Sequence, residues 1–163
     1  MSAAAPAFFT WLEHRPFAIA IAESTWLFPI AETIHVLALT VVVGSVAMMD
    51  LRLLGLGNKE RAASDVIASS LPWTWCAFAV AFVAGSLLFS SKAASYYTTV
   101  PFRIKMVCLA LAALNMLVFH LVTGRNMATW DRGAPPWGAR MAGAVSLALW
   151  VTIVATGRWI GFV

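Results

Sequence analysis

The chain has 163 residues, of which 61% are hydrophobic and only 11% charged. A soluble domain would be about one quarter charged, so the composition excludes an ordinary water-solvated fold and makes lipid the solvent. The net charge of +4 comes without a zinc-finger or other nucleic-acid motif, which excludes nucleic acid as a partner and leaves the lipid bilayer.

Residues 6–23 read as an amphipathic interfacial segment. Phe8, Phe9, Trp11, Leu12 and Phe17 are interrupted by Glu13, His14, Arg15 and Pro16, a mixture that suits a short helix at headgroup level. Arg15 is the first basic residue, so no basic region precedes the apolar part and the segment does not resemble a cleaved signal peptide.

The first span, about 25–52, follows Ser24 as a possible N-cap, with Trp26 at the interface and Pro29 in the first turn. It carries Glu32 and His35 near one end and Asp50 and Arg52 near the other. An ionisable group at membrane depth costs about 2.5–3.5 kcal/mol, which implies a protein-lined interior or a site near the interface. Helical spacing puts Glu32, Leu39, Val43, Val46 and Asp50 within roughly 40° of one meridian, so this face should look into a bundle. Gly44 and Ser45 lie off that stripe and can admit a close neighbour.

Residues 55–70 form a polar connection in which Lys59, Glu60, Arg61 and Asp65 suit a solvated surface helix. The second span, about 71–91, opens with Pro72, Trp73 and Trp75, and its Ala77, Ala81 and Gly85 recur every four residues, a pattern for close helix crossing. Tyr96 and Tyr97 mark the next interface, and Pro101 opens the third span, about 101–124. Lys105, Cys108, Ala112, Phe119 and Thr123 share one side of it. Asn115 is mid-span, while His120 lies on another sector near the far end, before Arg125. After a loop rich in Trp and Pro, the fourth span, about 139–162, begins near Arg140 and ends with Arg158 beside Trp159. Cys76 and Cys108 read as small buried hydrophobes, since two cysteines make no disulfide framework.

The expected fold is therefore an all-α integral membrane protein, a four-transmembrane-helix bundle preceded by a short amphipathic interfacial helix and forming one domain over 1–163. Arg52, Lys59, Arg61, Arg125, Arg132 and Arg140 flank the loops after spans one and three; Arg15, Lys92, Arg103, Lys105 and Arg158 lie on the other side. This near balance tips the termini toward the non-cytoplasmic side.

Depth divides the polar residues into two layers. Glu32, His35, Lys105 and Arg158 lie toward the termini, whereas Asp50, Arg52, His120, Arg125 and Arg140 lie toward the other side. Glu32 is expected to accept a charge-assisted bond from Lys105 or Arg158, and Asp50 from Arg125 or Arg140. His35 and His120 are the two span histidines and hence the candidate haem ligands. A rise of 1.5 Å per residue separates them in depth by roughly 18 Å, too far for two axial ligands of one iron. A haem b using one of them with another ligand, or a quinone contacting Glu32 and His35, remains open. No HExxH, CxxC, Walker or dinucleotide fingerprint is present.

Several motifs resemble an uncharacterised family of four-span bacterial inner-membrane proteins. They are Trp11-Leu12, the set Trp26, Pro29, Glu32 and His35, DLRLLG at 50–55, FRIKM at 102–106, the stretch from Asn115 to His120, SLALW and the terminal GRWI.F. The resemblance implies a bacterial inner-membrane location and a four-helix domain, with no activity to carry over. More distantly, a histidine-bearing four-span bundle is similar to cytochrome b-type and copper-resistance membrane domains, from which this chain departs in histidine count and depth.

The leading functional expectation is a non-enzymatic structural or accessory subunit, with a membrane-protein partner or a homo-oligomer. The alternatives are proton, ion or small-solute translocation through a polar-lined bundle, and electron transfer with haem b or quinone.

Overall fold

The computed structural model describes residues 5–56 and 61–162, so the expected roles of Lys59 and Glu60 lie outside the described residues. Two short helices, α1 (Ala7–Glu13) and α2 (Pro16–Glu23), precede α3 (Leu27–Leu53). Then follow α4 (Ala63–Ser91), the short α5 (Ala93–Thr98), α6 (Val100–Val118) and α7 (Trp137–Trp159). A π-helical turn over Phe119–Thr123 and a 3-10 segment over Gly124–Thr129 extend α6.

Four helical segments are long and apolar enough to cross a membrane, and at most 22% of the most apolar window of any of them is buried inside the protein. Trp26, Phe82, Val122 and Val151 are among the large side chains turned outward. An outer surface this apolar requires lipid around it, and the chain is a multi-pass membrane protein with a four-helix bundle fold.

Local chemistry explains where these helices start and stop. The Ser24 hydroxyl oxygen accepts the backbone N–H groups of Trp26 and Leu27 at 3.3 and 3.1 Å, steadying the entry to α3. At the other end Gly55 adopts φ +78°. Its N–H reaches Arg52 O at 3.1 Å, and that of Leu56 reaches Leu51 O at 3.0 Å, a Schellman closure that needs the left-handed residue glycine supplies. Helix α4 starts at Ala63, eight residues before the second span was expected to begin, so Pro72 lies inside the helix. The initiating signal comes from elsewhere in the chain: Asp131 O accepts the Ala63 N–H at 2.9 Å, and Asp131 Oδ1 accepts that of Ser64 at 2.7 Å.

Helix α3 is the centre of the packing, against α4 on one side and α7 on another, while α6 packs mainly on α7. The buried stripe of α3 is Ala38, Val42, Val46, Asp50 and Leu53. This corrects the expected stripe, because Glu32 is exposed although it shares a meridian with Asp50. Gly143 of α7 covers α3 at the Asp50 level, where a Cβ added to Gly143 would meet Asp50 O at 2.9 Å. Gly44, expected to admit a neighbour, instead faces open space, and the close approaches fall at Gly85 and Gly143. Cys76 is exposed, which corrects its expected burial; Cys108 is buried.

The amino-terminal helices are docked rather than free in the interface. Phe9 stacks on Tyr97 with centroids 4.5 Å apart and meets Phe89 edge-on at 5.8 Å. Glu13 Oε1 accepts the N–H of Ala94 at 2.9 Å, which caps α5.

Candidate functional site

The terminal-side layer is built around His35. Its Nδ1–H donates to Ala81 O of α4 at 2.7 Å, which leaves Nε2 as the acceptor nitrogen. The imidazole fits because α4 has glycine opposite it: a Cβ on Gly85 would lie 2.8 Å from His35 Cε1 and 3.1 Å from Nδ1. The small-residue spacing of α4 thus makes room for a polar side chain as well as for backbone approach.

Lys105 reaches the same level from α6. Its chain lies along Gly157 of α7, with Nζ 3.5 Å from where a Cβ would stand. The charges of Lys105 and Glu32 both reach His35. Glu32 is on the open side, and its charge also reaches Tyr96 of α5. Burial first, and the Glu32 carboxylate second, raise the Tyr96 phenol above its usual range. The expected ion pair of Glu32 with Lys105 or Arg158 is absent: no ion pair among the described residues closes to 4.0 Å. The guanidinium of Arg158 instead sits over the Phe162 ring, 5.2 Å from its centroid. Glu32, His35 and Lys105 therefore form a loose electrostatic group, with Arg158 turned to the carboxy-terminal aromatic.

The second layer differs from its expected form as well. Asp50 is 5% exposed, with Oδ2 unpaired, and it faces the hydroxyl of Ser146 on α7. Neither Arg125 nor Arg140 pairs with it. Arg125 is exposed, and Arg140 turns toward Gly55. Arg52 is 2% exposed and points the opposite way from Asp50, its Nε–H donating to Arg61 O at 3.0 Å and its Nη2–H to Asp131 O at 2.9 Å. The Asp131 carboxylate grips Ser64, accepting its N–H and its hydroxyl at 2.7 Å each. These bonds, reinforced by the charges of Arg132 and Arg52, hold the Asp131 carboxyl below the ordinary carboxylate range.

Asn115 donates Nδ2–H to Ala142 O at 2.9 Å and so joins α6 to α7. His120 is exposed, donates to its own helix at Met116 O at 2.9 Å and meets the Phe119 ring edge-on. Phe119 packs with Leu53 and Ala139, so His120 sits at the Leu53 end of α3. His35 is eighteen residues away along that helix, roughly 27 Å in axial rise. One iron cannot span them. Among the described residues no three of His, Cys, Asp and Glu gather as metal ligands.

Sequence reasoning missed Ser146, Tyr96 and the Arg52–Asp131–Ser64 knot. The motif-level signal for Ser146 was there, within the SLALW stretch. The knot had none, because Asp131 and Ser64 are 67 residues apart.

The model of the Family of unknown function (DUF6644) matches residues 8–163, and the chain belongs to that family. No curated protein and no solved structure matches it.

Proposed function

We propose, starting from membership of a family with no assigned activity, that the protein is a non-enzymatic structural or accessory subunit of a membrane assembly. One observation carries this: three polar side chains inside the spans tie helix to helix, and the buried stripe of α3 between its two polar layers is aliphatic. His35 bonds α3 to α4, Asn115 bonds α6 to α7, and Thr74 of α4 donates to Ser45 of α3 at 2.7 Å. Between the level of His35 and that of Asp50, the buried positions of α3 are Ala38, Val42 and Val46. An aliphatic stripe of this length opposes passage of a proton or ion. As part of the same proposal, we assign the assembly to the bacterial inner membrane with both termini on the non-cytoplasmic side, and its partner is another membrane protein or a second copy of this chain.

The test combines cross-linking in native membranes with flux in proteoliposomes. The proposal expects a cross-linked species of fixed stoichiometry, and a proton leak equal to that of protein-free vesicles and unchanged by Asp50→Asn or Glu32→Gln. A leak abolished by either substitution establishes translocation instead. Soret and α absorption bands in protein purified without added haem establish a redox role with haem b, and a bound quinone in the lipid extract does the same for quinone. A chain that stays monomeric throughout defeats the proposal.

A further inference from the structure

At the end of the bundle away from the termini, a cavity of about 280 Å³ opens among Arg52, Gly55, Arg132, Pro135 and Arg140. Among the described residues its charged lining is wholly basic. Arg52 is 2% exposed, and the carbonyls of Arg61 and Asp131 hold its fork in place. Arg132 and Arg140 are exposed, and neither has a carboxylate within 4.0 Å among the described residues. Asp131, which precedes Arg132 in the chain, has its carboxylate turned to Ser64. Three guanidinium groups around one hole repel each other, and two backbone carbonyls do not neutralise them. Helix α7 begins beside Pro135 with no side-chain cap, which adds the positive end of its dipole. Trp130 and Trp137 bracket the cavity-lining residues 132–135 in the chain, and Trp137 is 75% exposed, a placement of tryptophan that suits headgroup level.

From this geometry we infer that the cavity is a binding site for a phosphate-class anion, either the phosphodiester of an anionic phospholipid or free phosphate. Guanidinium forks match phosphate oxygens in pairs, and a basic pocket among membrane helices at the interface suits a lipid headgroup. The volume, at the small end for ligand pockets, admits a headgroup phosphate better than a drug-sized molecule.

The full-length protein is reconstituted in nanodiscs of phosphatidylcholine with phosphatidylglycerol, released, and examined by native mass spectrometry. Wild type is expected to retain phosphatidylglycerol preferentially. Arg132→Gln/Arg140→Gln should retain about tenfold less, while Arg103→Gln at the opposite interface should match wild type. In parallel, inorganic phosphate is added to the detergent-solubilised protein. Protection from heating that requires Arg132 and Arg140, without lipid retention, assigns the site to the soluble anion. If the double variant does not fold, Arg132→Gln alone, a change at an exposed loop position, should lower retention about threefold. Retention and phosphate protection both unaffected by these substitutions, or both absent in wild type, overturn the inference.

Discussion

His35 shows how one glycine can decide the placement of a polar side chain in a bundle. Gly85→Ala puts a methyl group 2.8 Å from His35 Cε1, so the imidazole must move and its bond to Ala81 O is lost. The expected cost is about 1–3 kcal/mol, measured as thermal stability in detergent. Adding His35→Ala removes the clashing ring, so the double variant should be more stable than the sum of the single effects implies. Strict additivity would mean that the glycine and the histidine do not meet. Tyr96 reports on Glu32 in a similar way. In a Tyr97→Phe background, absorbance titration should place the Tyr96 midpoint above the usual phenol value of about 10. Glu32→Gln should lower that midpoint only in part, because burial is the larger cause. The sign for stability follows: a raised phenol pKa contributes stability below the unfolded value, lost as pH rises through the folded one. A midpoint indifferent to Glu32→Gln would separate the two residues.

Helix α4 depends on a cap supplied from a distant loop. Ala62, the residue before its first turn, makes no side-chain cap bond, and the role falls to Asp131, which the buried Arg52 holds from the other side. Because the Asp131 carboxyl is held below its ordinary range, its contribution to stability is fully present above the unfolded value of about 3.9 and is lost as pH falls through the lower folded value. Wild type should therefore be more stable than Asp131→Asn by a margin constant at and above about pH 6. The two melting temperatures should converge as the medium is acidified below about pH 4. A margin that persists unchanged in acid would show that the carboxylate charge is irrelevant to the cap. The same contact fastens the loop before α7, so a change at Asp131 should also loosen the arginine-lined cavity.

Across the bundle, the two polar layers belong to opposite ends and are joined by aliphatic packing. Haemin added to the detergent-purified monomer is accordingly expected to give no low-spin bis-histidine spectrum. Appearance of such a spectrum, and its loss in both His35→Ala and His120→Ala, would show that the helices rearrange to bring the two imidazoles together. Each helix has its own apolar exterior, so the solvent of the assembled molecule is lipid on nearly every side.

Much of this architecture was legible in the residue order. Four long apolar runs, the belt tryptophans and the Ala81–Gly85 spacing follow from hydropathy and helical period, which are local properties. The separation in depth of His35 from His120 was legible too, because helical rise converts residue number directly into distance. The partner of each charge was not. Glu32 and Asp50 share a meridian, yet one is exposed and the other buried, because Gly143 of α7 covers only the Asp50 level. Arg52 reads in the sequence only as a member of the polar layer at that end, and Asp131 only as part of the loop rich in Trp and Pro, yet both hold backbone at the start of α4. Helical period says which side chains share a face. Whether a neighbouring helix covers that face at a given depth, and which loop folds back to cap it, is decided only by contacts between residues far apart in the chain.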